Sequence, residues 1–179
     1  MIRLLADRSA KRGQFTLASG RQSNFYVDAR LTTMSPEGLS IIGPLGLATF
    51  RELGWQVDAI GGLTLGADPI SFAISLASAR SDHPLRAFTV RKEAKGHGTG
   101  KLIEGPFRPG DHVVVIEDVI TTGDSALRAI EAVRSAKGLI SGLLALVDRE
   151  EGGRQAIEKA GVEVTSLATA SQIIAVLKE

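Results

Sequence analysis

At 179 residues with 44% hydrophobic content, the chain can bury one sizeable core and is too short for two ordinary enzyme domains. A net charge of +1, with acids and bases interspersed, excludes a global basic field for nucleic acid and an acidic solvating tail. The absence of cysteine excludes disulfides, thiolate metal sites and a cysteine nucleophile, and the scattered His83, His97 and His112 argue against a histidine metal cage.

Residues 2–11 carry helical spacing at Ile2, Leu5 and Ala6 with Gly13 as a stop, and 15–30 reads as two extended pieces around a Ser19-Gly20 turn. Together these predict a small N-terminal hood over residues 1–34. Ser35-Pro36-Glu37 is a helix start, with a capping hydroxyl, a proline at the first helical position and an early acid; Gly54 closes that helix. Apolar strands at 58–63, 85–90, 112–118, 139–147 and 162–168 then alternate with helices opened by Asp68-Pro69 and running to about Ser81, from about Ser125 to Lys137, and near 153–160. A final helix begins at Ser171 and is expected on the sheet edge. Short, near-continuous apolar strands between helices predict an α/β fold with a mainly parallel sheet flanked by helices, as one domain over 1–179. Right-handed crossovers place the loops after the strands along one edge, where ligands bind in such sheets. No stretch approaches the roughly 20 apolar residues of a membrane span, and the N-terminal run is too short for a signal peptide, so a cytoplasmic protein is expected.

The sharpest feature is the run Val113–Ile130. A buried strand ends in Glu117 and Asp118 and is followed by Thr121-Thr122-Gly123-Asp124-Ser125 and a helix. Such a turn offers successive backbone N–H groups, hydroxyl donors and a helix N-terminus to a monophosphate. The two acids suit a pair of ribose hydroxyls or a bound Mg²⁺, and strand alternation points one of them at a ligand. Each residue alone fits a helix cap or strand end equally well; the combination is uncommon by accident.

Between the strands near Val90 and Asp111 lies a polar interval, 91–110, too long for a passive connection. Arg91, Lys92, Lys95, His97 and Lys101 concentrate positive charge, and Gly96, Gly98 and Gly100 let the backbone close over a polyanion such as pyrophosphate. In isolation the segment reads as a solvated surface loop. It lacks the Walker spacing and does not open a helix as a dinucleotide fingerprint does. After the strand at 139–147, Arg149 stands at the same sheet edge, where its planar fork suits a carboxylate. Pairing with Asp148, Glu150 or Glu151 is the competing use.

The stretch Glu117, Asp118, Val119, Ile120, Thr121, Thr122, Gly123, Asp124, Ser125 resembles the phosphoribosyl pyrophosphate (PRPP) signature of the type I phosphoribosyltransferases, with Glu117 where many members have aspartate. The loop Arg91-Lys92-Glu93-Ala94-Lys95-Gly96-His97-Gly98 is similar to the catalytic loop of the orotate phosphoribosyltransferases. That resemblance implies transfer of the 5-phosphoribosyl group from PRPP to orotate, giving orotidine 5′-monophosphate and pyrophosphate in pyrimidine (UMP) biosynthesis. It implies that Glu117 and Asp118 contact the ribose hydroxyls, that Thr121 through Ser125 cradle the 5′-phosphate, and that Arg91, Lys92, Lys95 and His97 bind pyrophosphate. Lys95 would stabilise the leaving charge, in a mobile loop over 91–110 that reaches into the neighbouring subunit of a homodimer with a shared active site. It further implies that Arg149 and Thr121 hold orotate, with Tyr26 or Phe25 near the ring, and that Mg²⁺ is bound mainly through PRPP with no direct protein ligand. The chain departs from the family at Ala18, where many members carry lysine, and in 61–69, which lacks another. The competing readings are a phosphoribosyltransferase for another base and a regulator that keeps the pocket and binds nucleic acid.

Overall fold

The computed structural model describes residues 1–16, 22–93 and 101–177. A short helix α1 (Ile2–Arg8) leads into an antiparallel pair, β1 (Ala10–Thr16) and β2 (Gln22–Val27). The sequence expectation extended α1 to residue 11 and stopped it at Gly13. Instead Gly13, at φ 154°, lies inside β1, where the register slips between Arg12 and Phe15 as a bulge takes up an extra residue. After the single-turn helix α2 (Arg30–Thr33), α3 (Pro36–Glu52) begins as expected, with the Ser35 hydroxyl accepting the Gly38 N–H. Gly54, at φ 64°, turns the chain out of that helix.

The main sheet follows: β3 (Ala59–Leu63), α4 (Ala67–Ser78), β4 (Arg86–Val90), β5 (Ile103–Glu104), β6 (His112–Ile120), α5 (Asp124–Ser135), β7 (Leu139–Asp148), α6 (Gly153–Lys159), β8 (Val164–Thr169) and α7 (Ala170–Val176). Its order is β5-β4-β3-β6-β7-β8, with every pair parallel except β4–β5. The short edge strand β5 sits inside the interval read as polar loop. α7 opens with a capping box between Thr169 and Gln172 and packs against α1 as well as β8.

Alternation along the central strands sorts their side chains to two cores. Val114, Ile116, Leu144 and Leu146 pack with Ile42 and Phe50 of α3 and Ile70 and Ile74 of α4, and Leu5, Phe25 and Val27 of the N-terminal segment join this same cluster. Val113, Val115, Leu143 and Ala145 face the other way, onto Ala129, Ile130 and Val133 of α5 and Ile157 of α6. The sheet is therefore buried on both faces, as its unbroken apolar strands imply. Because successive strands leave β3 in opposite directions, to β4 on one side and β6 on the other, the switch point lies between β3 and β6.

The opposite edge of the sheet is pinned by carboxylates. Asp58 accepts the His112 N–H at 2.9 Å and faces both His112 Nδ1 and His83 Nε2 at 3.3 Å, while its backbone bonds His112 and Arg86. The His112 backbone hydrogen bond, opposed in part by burial and aided by both imidazoles, holds the Asp58 carboxyl below the usual carboxylate value of 3.8. A depressed folded-state value means that the stabilisation is present above the unfolded value and is lost as pH falls through the folded one. Asp58→Asn is expected to destabilise the fold by roughly 1 kcal/mol at neutral pH, with the gap to wild type narrowing below about pH 4. Thermal melts of the two proteins across pH 3 to 7 check this.

Candidate active site

A cleft of about 360 Å³ opens at the switch point. Its walls come from the end of β2 and the residues after it (Tyr26 to Arg30), the turn after β3 (Leu63 to Gly66), Lys92 after β4, the end of β6 with its following turn (Glu117, Asp118, Val119, Thr121, Ser125), and Arg149 after β7. A larger hollow of about 690 Å³ lies behind β5 around Ile103, Phe107 and Ala132, without a comparable convergence of charged groups.

β6 does not give out at the acids. It runs on to Ile120, which pairs with Asp148 of β7. Glu117 is 7% exposed, and its Oε2 has no hydrogen-bond partner among the described residues. Burial, then the charge of Asp118 and a hydrogen bond with it, push the Glu117 carboxyl well above the usual carboxylate range. Asp118 accepts the Val119 N–H at 2.9 Å and lies against Gly66, where an added Cβ would come 2.4 Å from its carboxyl carbon. Gly66 is thus the residue that lets the N-terminus of α4 approach the acid. Alternation had assigned one acid to the ligand side; both border the cleft, because the cleft wraps around the end of the strand.

The turn after β6 folds as its residue types require. Gly123, at φ 90°, takes the left-handed conformation ahead of α5, and a Cβ there would meet the Gly153 carbonyl oxygen at 2.9 Å. The Thr122 hydroxyl donates to Asp124 Oδ2 at 2.8 Å, closing the turn on itself. Thr121 and Ser125 border the cleft, whereas Ile120 is buried and Thr122, Gly123 and Asp124 form the turn outside its wall.

Arg149 is 8% exposed. One guanidinium nitrogen donates to the Phe25 carbonyl oxygen at 3.1 Å, Nε lies 2.8 Å from Glu151 Oε1, and the group sits 5.9 Å from the Phe25 ring centre. The pairing that competed with a ligand role is therefore real, with Glu151; Asp148 instead holds Arg154, and Glu150 holds Ser171. Tyr26 borders the cleft, and Phe25 packs in the core beneath Arg149.

Lys92 borders the cleft, and its carbonyl oxygen accepts a bond from Arg128 of α5. Arg91 lies outside the cleft wall, 3.5 Å from Glu104 of β5. Lys95 and His97 fall outside the described residues. Sequence reasoning missed Asp28, Arg30, Thr64 and Gly66. Thr64 donates to Asp68 Oδ2 at 2.6 Å and Thr89 to Asp68 Oδ1 at 3.0 Å, so the acid read as a helix opener also braces the turn after β3. Among the described residues there is no cluster of three or more acids and histidines able to hold a metal ion, and no helix is long and apolar enough to cross a membrane.

No protein-family model matches the chain. It is 46% identical over 177 residues to an orotate phosphoribosyltransferase of Aquifex aeolicus, covering 97% of this chain and 96% of that one. The solved orotate phosphoribosyltransferase of Mycobacterium tuberculosis, in complex with Fe(III) dicitrate, superposes with a TM-score of 0.84 at 40% identity, covering 96% of this chain and 95% of that one. The same Mycobacterium tuberculosis enzyme in complex with PRPP superposes at 0.80 with 38% identity, over the same shares of the two chains. Identity of this degree, sustained from end to end on one fold, makes the chain a member of the orotate phosphoribosyltransferase family.

Proposed function

We propose that the switch-point cleft is where this chain performs the reaction of its family, transfer of the 5-phosphoribosyl group from PRPP to orotate to give orotidine 5′-monophosphate and pyrophosphate. The observation that carries the assignment is the convergence in one cleft of the turn after β6, the acids Glu117 and Asp118, and Arg149. In this reading Thr121 to Ser125 hold the 5′-phosphate, Glu117 and Asp118 accept the ribose hydroxyls, and Arg149, Thr121 and Tyr26 hold orotate. Lys92, Lys95, His97 and Arg91 bind the pyrophosphate side, with Lys95 the main stabiliser of the leaving charge.

A hydroxyl suits the Glu117 Oε2, which has no partner among the described residues. Mg²⁺ would arrive on PRPP and be held mainly by the substrate's own oxygens, with no direct protein ligand, in a cleft whose two acids, Glu117 and Asp118, suit a cation nearby. When bound, it neutralises pyrophosphate charge. The chain's own contribution is position and electrostatics: the cleft sets the orotate nitrogen against the anomeric carbon and places cations where negative charge leaves, without a covalent nucleophile. A homodimer with a shared active site and a cytoplasmic location complete the reading. Exposed Phe72 and Leu76 of α4, beside Leu39 and Pro44 of α3, form the kind of apolar patch that a second subunit covers.

The direct test mixes purified protein with Mg²⁺, PRPP and orotate, following orotate absorbance and pyrophosphate release, with uracil and purine bases in parallel. Turnover selective for orotate is expected; selective turnover of another base would overturn the base pocket, and tight binding without turnover would make the chain a binding protein. Arg149→Ala is expected to weaken orotate binding by roughly 1.5–3 kcal/mol, with a smaller effect on PRPP. Equal weakening of both would remove Arg149 from the base pocket. Gly66→Ala should leave the unfolding midpoint close to wild type, since the atom it meets ends a side chain, yet displace the Asp118 carboxylate. A fall in kcat/KM for PRPP on the order of 10²-fold is expected, and steady-state kinetics beside a melting curve measure both effects.

A further inference from the structure

Three cations border the cleft among the described residues: Arg30, Lys92 and Arg149. Arg149 is engaged by Glu151 and the Phe25 carbonyl, and Lys92 belongs to the segment after β4. Arg30 has no part in the assignment above. Its Nε and Nη2 donate to the two oxygens of Asp28 at 2.8 and 3.0 Å, and its backbone N–H adds a bond to Asp28 Oδ1 at 3.1 Å.

The pair is asymmetric. The Arg30 side chain is 53% exposed and that of Asp28 only 22%, so the guanidinium is open to solvent while its partner is mostly covered. The hydrogen bond with Asp28 chiefly raises the proton affinity of Arg30, and among the smaller contributions is the charge of Asp118 from the end of β6. The turn after β3, which shares the cleft wall, has no basic residue: Gly61 through Pro69 contains neither lysine nor arginine. An anion lying against Thr64, Leu65 and Gly66 therefore meets no cation from that turn.

An ion pair this exposed contributes little to stability, and a guanidinium fork fits phosphate oxygens as well as it fits a carboxylate. A pyrophosphate group carries more charge than one carboxylate and offers more acceptors, so it competes successfully for Arg30. On the assignment of this cleft to PRPP made above, we propose that Arg30 is a pyrophosphate-binding residue, parked on Asp28 until the pyrophosphate group of PRPP enters beside Thr64, Leu65 and Gly66. Asp28 is then the internal competitor of the substrate.

The test uses the full chain with Mg²⁺, measuring inorganic pyrophosphate binding by calorimetry and the KM for each substrate. Arg30→Ala is expected to weaken pyrophosphate binding and raise the KM for PRPP roughly tenfold or more, with the KM for orotate and the unfolding midpoint near wild type. Arg30→Lys should recover part of the loss, and Asp28→Asn should bind pyrophosphate more tightly than wild type. Wild-type pyrophosphate affinity in Arg30→Ala would overturn the proposal, as would a rise confined to the orotate KM. Weakening by Asp28→Asn equal to that of Arg30→Ala would also overturn it, because the pair would then only shape the end of β2. If Arg30→Ala does not fold, Arg30→Lys and Asp28→Asn still decide. A wild-type chain that binds neither pyrophosphate nor PRPP would bring down the cleft assignment itself, whereas normal wild-type binding with unchanged variants would remove Arg30 alone.

Discussion

A strand buried on both faces has no place for a charge along its length, and that constraint organises this molecule. From Val113 to Ile116 every side chain of β6 is covered by a helix layer, so polar chemistry is confined to where the layers end. Glu117 stands at that limit. It is still buried, still inside the ladder with β7, and yet borders the cleft. One of its oxygens has no partner among the described residues, a cost that the open cleft beside it lessens.

The same constraint separates the two edges of the sheet by purpose. At one edge Asp58 and Asp111 are saturated with protein donors: His112 and His83 around the first, Arg86 and the Arg108 N–H around the second. Those carboxylates hold strand starts together. At the other edge Glu117, Asp118 and the turn after β6 face open space and a neighbouring guanidinium. At the cleft end Asp148, Asp68 and Asp28 are likewise engaged by protein donors, so it is Glu117, buried with one oxygen lacking a partner among the described residues, that stands apart.

Much of this was legible in the chain. Two-sided burial writes long apolar runs, so the parallel strands and their helices could be read close to their observed bounds, and the cap at Ser35 and the turn at Gly123 announced themselves by residue type. What escaped reading had no periodicity to betray it. β5 is two residues long and lies in a charged interval. The continuation of β6 through Val119 and Ile120 depends on pairing with Val147 and Asp148, a contact between segments far apart in sequence. Asp28 and Arg30 look like ordinary surface charge after a strand; only the fold sets them in the same cleft wall as Gly66 and Asp118. Arg149 was legible as a residue of the cleft edge, but its simultaneous hold on Phe25 and Glu151 was not, because the strand that supplies Phe25 reaches it only in three dimensions.

The extension of β6 to Ile120 makes the sheet a gauge. Ile120 is in register with Asp148, and the Arg149 N–H donates to the Ile120 carbonyl at 3.0 Å, so the turn that begins at Thr121 and the arginine after β7 leave adjacent strands at the same level. The spacing between those strands is fixed by backbone hydrogen bonds at about 4.8 Å, which no side-chain substitution alters. In the proposed binding mode the phosphate end of the nucleotide lies after one strand and its base after the next, so the span from base to phosphate is set against main-chain geometry. On that proposal, selectivity for the length of the molecule is a property of the ladder, and side chains are left to specify which base sits at its end.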